Sequence, residues 1–438
     1  MTMAYIIALN PNLLTGFGAE GTKALWNGVF LATCIASAVG MFVMAFLANK
    51  PFALAPGMGL NSLVANIVSI TGLSYVDSFQ AALCIILIEG ILFFILSIFN
   101  IRDKIVDAIP YGVRMGISPA IGLMLLNIGF GSNAGVYSKD GGPFYVMKDF
   151  FGALTPGLAK TNMTDGYSSM VLTVVTMFIG LFVIIILAHK GVNGAVLFGM
   201  LAACVVYWAG EAIFFGTNPF ASLATASFVP QFKDMADTTL FKFDFKDFIS
   251  IGWFTAISLI ITFCIIDMFD TIGTLVGTAS RAGMVDKEGN MPNMKEALVG
   301  AVTGTSTVTT FVESASGVEA GGRTGLTAFT TGILFLACIF IAPLAAIIPA
   351  AATSSALIYV GILMLGGLKK VDFEDLSQVA PVALMLIAMP ISGSIGHGIG
   401  LGLITYTVLK VFTGKAKEVS ILTYAISLLF LVKFFLVV

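Results

Sequence analysis

Uncharged runs long enough to cross a bilayer recur along this chain, and they constrain its fold more than any motif does. Windows without Asp, Glu, Lys or Arg occupy 24–49, 51–76, 115–138, 166–189, 191–210 and 248–266. Residues 324–368 and 376–409 are also free of charge, each long enough for two passes, broken at Pro343/Pro349 and at Pro390/Gly393. A helix needs about 20 apolar residues to cross the hydrocarbon core. Backbone polar groups at that depth must be satisfied within the segment, which selects α-helices for runs of this length. Hydrophobic residues make up 58% of the chain and charged ones 11%, against roughly 25% charged in soluble domains, so the excess apolar surface requires lipid as its solvent. The pattern implies an all-α, polytopic membrane protein.

Read in order, candidate spans fall near 1–13 (short), 24–48, 52–71, 78–100, 115–131, 168–188, 192–214 and 248–270. A second group comprises a short stretch around 296–319, then 326–347, 353–368, one or two passes in 378–412, and 419–437. Lys50, Arg102, Lys104, Arg114, Lys190, Arg281, Lys287 and Lys295 fall between spans on one side, which the positive-inside rule assigns to the cytoplasm. The longer loops 132–166 and 211–247 are then expected to face out. Met1–Leu14 lacks the basic flank and small-residue cleavage site of a signal peptide, so later spans are expected to direct insertion.

A net charge of −2 without a basic tract excludes nucleic acid and peripheral lipid binding as expected roles, since both depend on clustered Lys and Arg. Cys34, Cys84, Cys204, Cys264 and Cys338 each sit in an apolar segment without metal-ligand spacing and read as small core residues. No HExxH, GxSxG, Walker A or CxxC arrangement is present, so the chain is not expected to be an enzyme, and neither cofactor nor metal is expected. Energy for transport would come from an ion gradient, or the movement would be passive.

Two stretches match each other at an offset of 239: Ile109-Pro110 leads to Ile121-Gly122-Leu123-Met124-Leu125-Leu126, and Ile348-Pro349 leads to Val360-Gly361-Ile362-Leu363-Met364-Leu365. Either this is a chance match between apolar segments or it signals an internal repeat. Inverted repeats around a midplane site are the architecture of many secondary transporters.

Three places interrupt the apolar pattern with groups that are costly at membrane depth. In Ala55-Pro56-Gly57-Met58-Gly59-Leu60-Asn61, Pro and Gly weaken the helix, giving either a discontinuous span with Asn61 facing a cavity or a simple kink with close packing. In Asp267-Met268-Phe269-Asp270, the two carboxylates lie on neighbouring helix faces; either one faces a cavity, or the helix has reached the interface. In Gly304–Gly317 the hydroxyl and β-branched residues favour extended backbone. There Glu313 is either a site carboxylate or part of a surface loop. Glu89, inside the 78–101 window, is either functional or a structural partner across a helix interface, while His189 reads as interfacial and His397 as marking a tight Gly-rich crossing.

At these same places the sequence resembles the AzgA-like purine permeases, within the nucleobase–cation symporter group that includes the bacterial uracil permease. The likeness covers nearly the whole chain and is most specific at Ala48-Asn49-Lys50-Pro51-Phe52-Ala53-Leu54-Ala55-Pro56-Gly57-Met58-Gly59-Leu60-Asn61, at Asp267–Gly277, and at Thr305–Gly325 with Glu313-Ser314-Ala315 and Gly321-Gly322-Arg323-Thr324-Gly325. The resemblance implies about 12–14 spans as two inverted seven-span repeats, 1–247 and 248–438, forming core and gate domains with short extended segments in spans 3 and 10. It implies a proton symporter of the cell membrane for hypoxanthine, guanine or adenine. Asp267 would be the purine-binding carboxylate of span 8 and Glu313 its counterpart on span 10, with Asn61 from span 3 and Thr310 beside them. Phe269 or Phe311 would stack on the ring. Asp267, Asp270 and Glu313 would couple the proton, so the expected partners are a purine, a proton and the bilayer, with a homodimer as an open assembly. Against the family pattern, the first span is expected to begin inside its helix and the ninth to be shortened near 297–305. A channel or an anion exchanger of related fold is the competing class, although an anion site calls for Arg or Lys where this chain has Asp267 and Glu313.

Overall fold

The computed structural model describes residues 3–16, 21–57, 61, 64, 74–98, 109–133, 167–253, 255–264, 267, 308–311, 314–319, 321–392 and 395–436. Among these, eight helices are long and apolar enough to cross a membrane: Lys23–Ala48, Tyr75–Leu92, Tyr111–Gly131, Val171–His189, Ala195–Phe215, Gly325–Ala346, Ala350–Lys370 and Ile395–Phe412. Shorter apolar helices cover Thr255–Cys264, Leu376–Ser392 and Ile421–Val432. The chain is thus a multi-pass, helical membrane protein. Its lipid-facing surface is written in exposed apolar side chains such as Phe182 and Ile186, Leu201 and Val205, and Leu326 and Leu334. Without lipid, such a surface would aggregate.

The first half contains α1 (Ile6–Leu14), α2 (Lys23–Val43, running on through a wider turn to Ala48), β1 (Leu54–Pro56), α3 (Tyr75–Ile98), α4 (Tyr111–Ile128), α5 (Tyr167–His189) and α6 (Ala195–Gly210). The expected outer loop 211–247 instead carries two short helices, α7 (Phe232–Thr238) and α8 (Phe245–Ser250). It folds over the starts of α2 and α3: Asn27 Nδ2 donates to Asp234 Oδ2 at 2.6 Å, and Gln80 Nε2 donates to the Thr238 carbonyl at 3.1 Å. Asp244 caps α8 by accepting from the Lys246 and Asp247 amides. Of the other expected outer loop, 132–166, residues 134–166 lie outside the described residues.

The second half contains α9 (Thr255–Cys264), β2 (Val308–Thr310), α10 (Ser314–Glu319), α11 (Gly325–Cys338), α12 (Ala350–Met364), α13 (Leu376–Ser392), α14 (Ile395–Phe412) and α15 (Ile421–Leu436). Pro349 separates two passes as expected, N-capping α12 with extended backbone. The run 376–409 divides between Ser392 and Ile395, as expected at Pro390/Gly393, with Pro390 itself inside the last turn of α13. Proline removes one helical donor without ending a membrane helix when packed neighbours restore its partners. Near the end of α13, Asn127 Nδ2 donates to the Pro390 carbonyl at 3.2 Å, an acceptor in the last helical turn. The Gly-rich start of α14 serves close packing, as expected around His397: a Cβ at Gly398, Gly400 or Gly402 would strike Met389, Phe430 or Met385 respectively. The span boundaries near 297–305 lie outside the described residues.

The two matching stretches become two helices that cross. Pro110 and Pro349 N-cap α4 and α12 with similar backbone (ψ 138° and 153°). Gly122 and Gly361 then face each other, so that a Cβ on either would lie 2.7 Å from the other's carbonyl oxygen. α4 also packs on α13 and α14, and α12 on α5 and α6. Small residues at such a crossing let backbones approach, which drives helix association where no hydrophobic effect operates between helices in lipid.

Asp375 illustrates how the ends are held. Its carboxylate accepts from the Ser377 amide at 2.9 Å, the Ser377 hydroxyl at 2.7 Å and Gln378 Nε2 at 3.2 Å, capping α13. The Ser377 hydroxyl first of all, and the Gln378 amide with it, hold the carboxyl below its usual range. A depressed carboxyl stabilises the fold above its unfolded value and loses that contribution as pH falls. Asp375→Ala should therefore cost about 1 kcal/mol at neutral pH. The difference from wild type should begin to shrink below about pH 4, near the free Asp value, and disappear only as pH falls through the lower folded value; thermal unfolding in detergent across pH checks this.

Candidate functional site

Two of the three polar interruptions meet in space. After α2 the chain turns through Asn49, which adopts left-handed backbone (φ 49°), and runs extended through Phe52–Pro56, all buried. β2 is built from Val308, Thr309 and Thr310, whose branching suits a strand. The strands pair antiparallel with Leu54 opposite Thr310, Ala55 opposite Thr309 and Pro56 opposite Val308. The Phe311 amide donates to the Ala53 carbonyl at 3.0 Å, marking that pair as hydrogen-bonded. Alternation then makes 55/309 hydrogen-bonded and leaves Pro56 at a non-bonded position, where its missing N–H removes nothing from the ladder. Ser314 completes the join: its hydroxyl accepts from the Ala53 amide at 3.0 Å and lies 3.2 Å from the Ala53 carbonyl. Past each strand the chain turns helical again, at Asn61, whose amide donates to the Gly57 carbonyl at 2.9 Å, and in α10. Both spans are thus discontinuous, as expected for spans 3 and 10.

Other residues of these stretches are structural. The Gly325 amide donates to Asn49 Oδ1 at 2.9 Å, tying the end of the α2 turn to the start of α11. A Cβ on Gly325 would run into the Ala45 backbone. Arg323 donates to the Gly322 carbonyl at 2.9 Å and to the Val318 carbonyl, closing the end of α10.

Beside β1 lies a small cavity of about 60 Å³ whose lining includes Asn10, Thr33, Pro56, Asn61 and Phe79. Asn61 Nδ2 donates weakly to the Pro56 carbonyl at 3.4 Å. Asn10 Nδ2 donates to Thr33 Oγ1 at 2.7 Å, and that hydroxyl donates to the Val29 carbonyl at 2.6 Å. The hydroxyl proton is thereby committed, which orients the Asn10 amide and leaves its Oδ1 buried without a partner. A buried acceptor of this kind costs about 1–3 kcal/mol unless something supplies a donor. Asn10 was not singled out from sequence; its signal was the polar Asn10-Pro11-Asn12 inside an apolar stretch. The second amide of that triplet is spoken for, since Trp26 Nε1 donates to Asn12 Oδ1 at 2.7 Å.

Asp267 is helical, beyond α9, and 7% exposed, so it has not reached an open interface. It is not among the residues lining the Asn61 cavity. Its carboxylate instead acts electrostatically on Glu89 of α3, and the Cys264 thiol, one turn earlier on the Asp267 side, reaches toward Glu89 as well. Glu89 is fully buried, and neither of its oxygens has a hydrogen-bond partner at normal distance. Thr310 is buried with an unpartnered hydroxyl, and Phe311 beside it is 6% exposed. Phe269, Asp270 and Glu313 lie outside the described residues.

Comparison with known proteins agrees with this architecture. The sequence matches the Xan_ur_permease family, described as a permease family, over residues 1–189 and 151–396. It is 35% identical to the guanine/hypoxanthine permease PbuO of Bacillus subtilis over 449 residues, covering 99% of this chain and 94% of that one. It is 34% identical to the adenine permease AdeP of Escherichia coli over 442 residues, covering 99% of this chain and 90% of that one. Among solved structures, the transmembrane domain of the bicarbonate transporter BicA from a cyanobacterium superposes with a TM-score of 0.61 at 16% identity, covering 89% of this chain and 92% of that one. That likeness establishes a shared fold.

Proposed function

The chain belongs to the Xan_ur_permease family of permeases, and from that premise we propose that it takes purine nucleobases across the cell membrane by proton symport with alternating access. The observation that carries the substrate is the identity, near one residue in three over almost the entire chain, with permeases named for guanine, hypoxanthine and adenine. The geometry supports it. A purine offers ring nitrogens and N–H groups on one edge and a flat face. Buried amides beside two strand-joined spans are suited to the edge, and an aromatic ring to the face.

In this reading Asp267 and Glu313 accept hydrogen bonds from the purine, Asn61 and Thr310 supplement them, Phe269 stacks, and Asp267, Asp270 and Glu313 participate in proton coupling. The unsatisfied Asn10 Oδ1 adds an acceptor that a purine N–H would satisfy. The reciprocal approach of Gly122 and Gly361, at matching places in the two halves, supports inverted repeats over 1–247 and 248–438 that rock against each other. An anion exchanger would need a basic group where Asp267 is buried.

Uptake of radiolabelled hypoxanthine, guanine and adenine into cells expressing the chain tests this. Saturable uptake of at least one purine, collapsed by a proton uncoupler, is expected; inserted protein that takes up none of the three would sink the proposal.

A further inference from the structure

The cavity beside β1, at about 60 Å³, is far smaller than the roughly 300 Å³ at which small-molecule pockets begin, so it takes part of a ligand rather than the whole. Its walls are mostly apolar, with Val29, Phe79 and Ile86 among them, and two side-chain amides interrupt them, from Asn10 on α1 and from Asn61 beyond β1. The two amides are available in opposite senses. Asn10, 2% exposed, commits its Nδ2 to Thr33 and keeps Oδ1 as an open acceptor. Asn61 Nδ2 uses one of its two hydrogens on the Pro56 carbonyl, at the long distance of 3.4 Å, and has the other to give.

The chemistry that answers this pair is one donor and one acceptor on a single narrow, otherwise apolar edge. The three bases of the reading above differ around the six-membered ring, where adenine carries an amino group and hypoxanthine and guanine a carbonyl. Their five-membered rings are the same. Each has one N–H and one unprotonated nitrogen on either side of a C–H. That ring is also the end of a purine small enough for so small a cavity, and its carbons suit apolar walls.

We propose that Asn10 is a specificity-determining residue that, with Asn61, reads the imidazole edge of the base: Asn10 Oδ1 accepts from the ring N–H, and Asn61 Nδ2 donates to the ring's second nitrogen. This rests on the purine reading and names the edge by which the base is held. Thr33 is the positioning residue. Its hydroxyl proton goes to the Val29 carbonyl at 2.6 Å, so toward Asn10 it only accepts, and the Asn10 amide is kept from turning its N–H₂ to the base. The six-membered ring, where the bases differ, stays outside this cavity, so adenine, guanine and hypoxanthine are admitted alike. A pyrimidine lacks the ring altogether. A base substituted on a ring nitrogen, as in a nucleoside, sets carbon where the buried acceptor needs a hydrogen and adds bulk the cavity does not hold. Sites built around a substrate donor reject analogues without it, because the buried partner is left unanswered.

The test is competition for uptake of the best-transported of the three radiolabelled bases into cells expressing the full-length protein. The competitors are the unlabelled base and its 7-methyl and 9-methyl derivatives, for hypoxanthine 7-methylhypoxanthine and 9-methylhypoxanthine. Either methyl group removes the ring N–H and leaves the groups of the six-membered ring in place. In wild type both derivatives should compete on the order of tenfold to hundredfold more weakly than the base itself, the range of one unanswered buried acceptor. Asn10→Ala should weaken the base by a similar factor and bring the three competitors to nearly equal potency, which a merely structural role for Asn10 would not do. Thr33→Val keeps Asn10 but removes the acceptor that orients it, and should narrow the gap as well; it decides the matter if Asn10→Ala does not reach the membrane. A wild-type gap retained in Asn10→Ala, or in Thr33→Val where that variant alone is inserted, means that the cavity holds only water and overturns the assignment. Wild-type protein inhibited equally by all three compounds overturns it too. Wild-type protein that takes up none of the three bases counts against purine transport itself, whereas normal purine uptake with an unchanged gap in the variants counts against Asn10 alone.

Discussion

Asp267→Asn is expected to abolish high-affinity purine uptake while the protein still reaches the membrane in normal amount. The substitution keeps the side chain's size and one acceptor, so the packing beyond α9 is preserved, but it removes the negative charge from a site that is 7% exposed. A hydrogen bond to a charged group contributes about 1.5–3 kcal/mol, which corresponds to roughly tenfold to hundredfold in affinity. The removal also introduces an amide N–H that would point at a purine N–H. Concentration-dependent uptake, normalised to membrane abundance by immunoblot, measures the effect; uptake within a factor of about two of wild type, well inside one 1.4 kcal/mol decade, would remove Asp267 from the binding site.

Thr309→Pro is the second large expected effect, and it acts through the backbone. The register places Thr309 opposite Ala55 in a hydrogen-bonded pair, so proline there removes the amide that answers the Ala55 carbonyl. That carbonyl belongs to a fully buried residue with no water to replace the lost donor. An unsatisfied buried backbone group costs about 1–3 kcal/mol in proteins generally, and the cost is greater where lipid surrounds the site. Both discontinuous spans depend on this pairing, so the variant should unfold at markedly lower temperature in detergent and transport no purine. Thr309→Val provides the control: it keeps the amide and the branched shape, and should lower the melting temperature far less than Thr309→Pro does. Equal melting temperatures for Thr309→Pro and wild type would mean that the strand pair does not hold the two spans together.

The order of the spans was legible because each apolar run must bury its backbone polar groups in a helix of bilayer length. Lys23–Ala48 and Val171–His189 accordingly fall within a few residues of where charge-free windows place them. The extended backbone at Val308–Thr310 was legible for a local reason as well, since Val308, Thr309 and Thr310 all carry branched side chains. Pro390 misled by about two residues only: the run divides between Ser392 and Ile395, and α13 carries on past the proline to its last turn. The stretch 211–247 misled similarly: its polar residues read as loop, while Asp234 and Thr238 bind Asn27 and Gln80 from distant helices.

What the sequence by itself determined is therefore the class of the molecule: a multi-pass helical protein with polar interruptions at Asn61, Asp267 and Glu313, because hydropathy and backbone preference act over a few residues at a time. Only the tertiary structure decided which interruptions meet. It joined residues 54–56 to 308–310 across a separation no local rule encodes, tied Asn49 to Gly325, and exposed the unanswered acceptor of Asn10. It also buried Glu89 completely within α3. A carboxyl's role depends on the charges and dipoles within a few ångströms of it, and those are fixed by how helices cross.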